Sequence, residues 1–142
     1  MALLLDHDFF KKPPPKSLDR NAFHAGLARL APCTPLDGLA TLTAFTIQAT
    51  AKALDHMPRK PLRWLVAGGG RHNHAFMQGL QSVVQCPVEA VETVNWRGDS
   101  LEAECFAYLA QRSRLGLPLS LPSTTAVPAP CSGGRFWPRP SL

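Results

Sequence analysis

Apolar and polar positions divide this chain into irregular ends around an ordered middle. The opening run Met1 to Leu5 is too short for the apolar core of a secretion signal, and no apolar stretch reaches the roughly 18 residues a membrane helix needs. The segment "FFKKPPPKSLDRNAF" cannot open as a helix, because consecutive prolines lack amide donors and push their predecessors toward extended geometry. A helix is expected from about Asp19 to Leu30, with Phe23, Leu27 and Leu30 on one face. In "CTPLDGLATLTAFTIQATAKALDHM", Thr34 stands as N-cap, Pro35 at the first helical position and Asp37 two residues on, so acceptors and negative charge meet the free amides. This helix is expected to run to about Met57, since Leu36, Leu39, Ala40, Thr43, Ile47, Thr50 and Leu54 recur at helical spacing. Gly38 is its weak point, and Pro58 and Pro61 end it.

Leu62 to Ala67 reads as a short strand buried on both faces, with Arg63 at its entry. Three glycines follow, and Asn73 then caps a helix from about His74 to Val84 whose Phe76, Met77, Leu80 and Val83 or Val84 form an apolar face. "CPVEAVET" is a second strand. Strand, helix and strand in this order imply a right-handed crossover and a parallel pair. A last helix from about Ser100 to Leu115 is expected to turn Leu101, Cys105, Tyr108 and Leu109 inward, and Gly116 stops it. Pro118, Pro122, Pro128, Pro130, Pro138 and Pro140 make the remainder a wrapping loop or a disordered tail.

Composition changes this picture little. At 142 residues and 45% hydrophobic content, the chain fits one globular unit, which need not be a whole domain. Cys33, Cys86, Cys105 and Cys131 form no CxxC pair and read as reduced thiols. The net charge of +5 is scattered rather than gathered into a stripe with interleaved aromatics, so phosphate-bearing small molecules fit it as well as a polymer does. His72 and His74 lack a third ligand at metal-binding spacing, and no metal site is expected.

The glycines Gly68, Gly69 and Gly70 invite two readings. In an open parallel sheet, ligands bind beyond the carboxyl ends of the strands, where a glycine turn lets the backbone approach and the next helix offers free amides. Alternatively the turn only accommodates unusual backbone angles and close packing. A dinucleotide fingerprint would need a third glycine where Asn73 stands, although Glu89 lies where a ribose-binding acid belongs.

Four ordered segments carry a more specific resemblance. "KPPPKSLDRNAF" at Lys12 to Phe23, "LATLTAFT" at Leu39 to Thr46, "VAGGGRHNHAFM" at Val66 to Met77 and "WRGDSLEAECFAYLAQRSRLGLPLSLPSTT" at Trp96 to Thr125 resemble the C-terminal part of the anhydro-N-acetylmuramic acid kinases. The resemblance covers nearly the whole chain. It implies an α/β fold: a partial C-terminal lobe of the actin, hexokinase and heat-shock ATPase type, with a short parallel sheet, flanking helices and a Pro-rich tail. The lobe would occupy residues 1–118 and the Pro-rich segment residues 119–142. By the same resemblance, the parent enzyme is a cytoplasmic kinase of peptidoglycan recycling. It uses ATP and Mg²⁺ to open the anhydro ring of the amino sugar with water and yields N-acetylmuramic acid 6-phosphate. Its partners are small molecules rather than nucleic acid or membrane, and members of the family form homodimers.

The resemblance assigns Gly68, Gly69, Gly70 and Asn73 to the nucleotide and Glu102 to the sugar cleft; Lys16 and Ser17, on the proline-stiffened loop, are candidates on their own chemistry for an anionic substrate group. The family's Ser-Gly-Thr-Ser type phosphate loop and the Asp-Thr-Gly-Pro-Gly segment with its catalytic aspartate are both absent from the sequence. No catalytic residue is therefore assigned here, and the chain alone is expected to be inactive and to fold poorly. The residues themselves also allow a structural role for Glu102. Asp99 and Glu102 have the spacing of a capping box on the last helix. Lys16 can likewise be a solvated cation, and Ala126 stands where many relatives carry Gly. Two other readings stay open: a small nucleotide- or dinucleotide-binding module, and a non-catalytic product of a truncated gene.

Overall fold

The computed structural model describes residues 2–28 and 31–138, so Met1, Leu30 and Pro140 of the sequence reading lie outside the described residues. The chain begins with α1 (Ala2–Leu5) and a 3-10 turn at Asp8–Phe10. The helix expected from Asp19 is instead a 3-10 turn, Arg20–Phe23, continued by a single α turn, α2 (His24–Leu27). Asp19 caps the tighter turn by accepting from the Asn21 amide at 2.8 Å, a local bond that competes with regular helix. Phe23 does pack, its ring meeting those of His7, Phe10 and Phe45 at centroid distances of 5.2 to 6.0 Å.

The long helix α3 (Pro35–Ala51) starts as its sequence requires, with Thr34 Oγ1 accepting from the Asp37 amide at 3.2 Å. Its α geometry stops six residues short of Met57, and Lys52–His56 tighten into 3-10 turns. Only the C-terminal half is covered. Ile47 and Ala51 are buried, whereas Leu36 and Leu39 are 80% and 64% exposed.

The sheet is two-stranded and parallel, β1 (Trp64–Val66) against β2 (Val88–Ala90), in the register Trp64 to Val88, Leu65 to Glu89 and Val66 to Ala90. Both strands are half-buried rather than enclosed, and Leu62 lies outside the strand at 92% exposure. Between them runs α4 (His74–Val84), which packs on α3 and on β2. Leu80 and Val84 from α4, each 1% exposed, form the core cluster with Ala51 of α3, and Val91 after β2 is equally buried. Trp64, Val66, Phe76 and Val88 close around it.

Beyond β2, the second strand expected to reach Thr93 breaks into a 3-10 turn, Val91–Val94, that ends on a left-handed Asn95. Helix α5 (Leu101–Arg114) follows. Its expected inward face is not buried: Leu101 and Leu109 are half-exposed, Cys105 is exposed and Tyr108 is 61% exposed. Gly116, at φ +66°, ends it. The tail then folds back on α5. Ser120 and Cys131 form an antiparallel bridge, Ser113 Oγ donates to Gly133 O at 2.5 Å, and Pro122–Thr125 make the short helix α6. Ala126 ends α6 in the left-handed region at φ +62°, the conformation a glycine adopts without penalty.

Candidate functional site

The glycine turn joins the end of β1 to α4. Gly68 sits at φ +71°, a backbone that an L side chain resists, and its amide donates to Gly98 O at 3.3 Å. Gly69–His72 form one 3-10 turn, and Asn73 then caps α4, its Oδ1 accepting from the Phe76 amide at 3.1 Å. Of the three glycines, only Gly68 needs glycine for its backbone angles. A Cβ on Gly69 would meet nothing within 4 Å, and one on Gly70 would make ordinary contact with Phe76 at 3.9 Å. The protein's own packing therefore gives no reason for glycine at positions 69 and 70.

Beside Gly70 and Asn73 lies an open groove of about 330 Å³, walled on the other side by Leu39, Leu42, Thr43 and Thr46 of α3 and floored by Phe76. Its lining is apolar with a few polar groups, the usual make-up of a small-molecule site. The exposed N-terminal half of α3 is thus one wall of this groove, which accounts for Leu39 being uncovered.

The residue that sequence reasoning missed is Arg71. Its side chain is only 3% exposed, and its guanidinium reaches three partners: Nε donates to Glu92 Oε1 at 2.8 Å, Nη1 to Gly68 O at 2.9 Å, and Nη2 pairs with Asp99 Oδ1 at 2.8 Å. Gly98 makes room for it. A Cβ there would stand 2.5 Å from Arg71 Nε and 2.6 Å from Glu92 Oε1. The hydrogen bond that Arg71 donates to Asp99 raises the Arg71 pKa and, reciprocally, holds the Asp99 carboxyl below its usual range. Glu92 is also lowered, first by its own backbone amide and then by Arg71, against the opposing effect of burial. No periodicity marks such a residue; the signal available was a lone arginine within "GGGRHN" and two acids that follow separate turns.

This network corrects the expected capping box. Asp99 is engaged with Arg71, with His72 Nε2 also 3.8 Å away, and α5 starts after Ser100 with no side-chain cap at all. Glu102 stands exposed in the first turn of α5. Lys16 is a loop clamp: its ammonium donates to Phe9 O at 2.9 Å and Lys12 O at 2.8 Å, lies 3.0 Å from His56 Nε2 and sits over the Phe9 ring. Ser17 reaches Thr125 O at 3.4 Å, which joins the proline-rich loop to α6. Glu89 is paired with Arg63 at 3.3 Å. Among the described residues, no group of three His, Cys, Asp or Glu side chains is placed to hold a metal ion, and the carboxylates nearest the turn are held by Arg71. The described residues therefore present no cage of protein ligands for magnesium, whose usual one or two carboxylates would have to come from acids not already engaged with Arg71.

Residues 1–139 match the family model described as anhydro-N-acetylmuramic acid kinase. The chain belongs to this family. Proteins named anhydro-N-acetylmuramic acid kinase from Rhodospirillum rubrum and Acidiphilium cryptum are 52% identical over 138 residues and 53% identical over 134 residues, covering 95% and 94% of this chain. One from Paramagnetospirillum magneticum is 52% identical over 132 residues. The chain spans only 36% to 37% of the length of these relatives. The two-stranded parallel sheet with its flanking helices agrees with a part of a sugar-kinase fold. No helix among the described residues is long and apolar enough to cross a membrane.

Proposed function

We propose that this chain is the C-terminal part of a cytoplasmic, ATP-dependent kinase of cell-wall recycling, which opens the ring of 1,6-anhydro-N-acetylmuramic acid with water and yields N-acetylmuramic acid 6-phosphate. In this reading residues 1–118 form part of the C-terminal lobe and residues 119–142 are the Pro-rich segment, whose Ser120–Gly133 portion folds back on α5. ATP supplies the phosphoryl group. The chain's own residues receive the nucleotide: Gly68, Gly69 and Gly70 let it approach the backbone, Asn73 holds the start of α4 beside it, and the apolar groove against α3 takes the flat part of the molecule. Glu102, exposed at the head of α5, accepts hydroxyl hydrogen bonds from the sugar. Lys16 and Ser17 act through the loop they brace, since their polar atoms are engaged with backbone carbonyls. The base that activates the attacking water, and the donors for Mg²⁺, belong to the part of the kinase that this chain lacks.

The observation that carries the nucleotide reading is the pair of glycines at 69 and 70, which the internal packing does not require, on the rim of an open groove. The dinucleotide alternative is weakened because Glu89, its ribose-binding acid, already pairs with Arg63. ATP and NAD titrations of the chain, followed at the backbone amides of residues 68–73, test the choice. ATP should shift these amides, and Gly69→Val should abolish the response by filling the ligand's space. An equal response to NAD, or an unchanged ATP affinity in Gly69→Val with the fold intact, would refute the reading.

A further inference from the structure

Arg71 is the only buried polar or charged residue among the described residues, and each of its three partners belongs to a different segment bordering the glycine turn. Gly68 O is in the turn itself, Glu92 follows β2, and Asp99 stands just before Ser100, the N-cap of α5. The backbone repeats the link, with the Gly68 amide on Gly98 O and the Arg71 amide on Gly68 O, both at 3.3 Å. With its side chain 3% exposed, Arg71 faces no ligand directly. We propose that Arg71 is a positioning residue: its guanidinium holds the Gly68–Gly70 backbone in the shape that receives the nucleotide and ties that turn to the head of the helix carrying Glu102. The inference rests on the nucleotide reading of the turn.

The physical reason is the planar fork of the guanidinium. Donors fixed in one plane can serve a carbonyl and two carboxylates at once, and a lysine ammonium, though it keeps the charge, cannot reproduce that geometry. A binding loop held this way loses affinity on small displacements, because ligand contacts fall off over fractions of an ångström. Gly98 belongs to the same device, since any side chain there would displace the fork.

The test is an ATP titration of the full chain as parent, Arg71→Lys, Asp99→Asn and Gly69→Val, followed at the amides of residues 68–73. Hydrogen exchange at Leu80 and Val84 reports on the core in each protein. Arg71→Lys and Asp99→Asn should each weaken ATP binding about tenfold or more, with core exchange as in the parent. Faster core exchange at unchanged ATP affinity would make Arg71 purely structural and overturn the proposal, as would parental affinity in both variants while Gly69→Val abolishes binding. If Arg71→Lys does not fold, Asp99→Asn decides, because that side chain is 83% exposed. A parent that binds no ATP, or a Gly69→Val protein that binds like the parent, removes the nucleotide reading itself and the proposal with it.

Discussion

Helices α4 and α5 are 11 and 14 residues long and both carry apolar side chains at helical spacing, yet α4 buries Leu80 and Val84 to 1% exposure whereas α5 buries no residue. The difference is in what each helix is offered. Helix α4 is sandwiched between the parallel strands and the C-terminal half of α3, so its apolar stripe has two surfaces to cover it. Helix α5 is offered mainly the returning tail, and Phe106, Tyr108 and Leu115 remain 61% to 71% exposed on and just after it. Periodicity selects which face of a helix is apolar; burial also requires a neighbour to receive it. The glycine turn sits at the boundary between these regions, attached to the packed one through β1 and α4 and to the open one through Arg71 and Asp99.

The packed region is most sensitive at Leu80, which is 1% exposed. Leu80→Ala should cost about 2–5 kcal/mol in chemical denaturation, because truncation in close-packed surroundings leaves a cavity as well as losing transfer energy. Next comes the junction, where Gly98→Ala should cost about 1–3 kcal/mol by forcing Arg71 and Glu92 aside, measured in the same way. Gly69→Ala, with open space at its Cβ, serves as the neutral control. Acid should open the same junction. Arg71 stays charged throughout, while Asp99 and Glu92 have lowered pKa values, so their contribution is present above the ordinary carboxylate range and is lost as pH falls through their lowered values. Unfolding midpoints taken from neutral pH down through the acid range should therefore fall more steeply for the parent than for Asp99→Asn, the gap between them narrowing as the pH falls. A small effect is expected in α5: Phe106→Ala should change stability by less than about 0.5 kcal/mol, since that ring is 64% exposed.

What was legible in the sequence follows the same division. Helix α4 with its Asn73 cap, the start of α3 with Thr34 and Pro35, and the parallel pairing of the strands were all readable, because each rests on a local signal or on chain order. The end of α3, the extent of both strands and the 3-10 turn after Asp19 were not, since short-range hydrogen bonds override propensity there. Asp99 illustrates the limit for the site. Its spacing to Glu102 fits a cap equally well, and only the fold brings it to Arg71, 28 positions earlier in the chain. Glu102 and the glycines carried their own signal, as an acid at a helix head and as a strand-to-helix turn, whereas a brace assembled from three separate turns leaves no pattern in sequence.

Native-state amide hydrogen exchange over the whole chain, with and without ATP, tests the account most directly. The slowest exchange should fall in α4, β1 and the C-terminal half of α3, with α5 and the tail exchanging fast, and ATP should add protection at residues 68–73 while leaving α5 beyond its first turn unchanged. Protection in α5 equal to that in α4, or ATP protection that avoids the glycine turn, would contradict it.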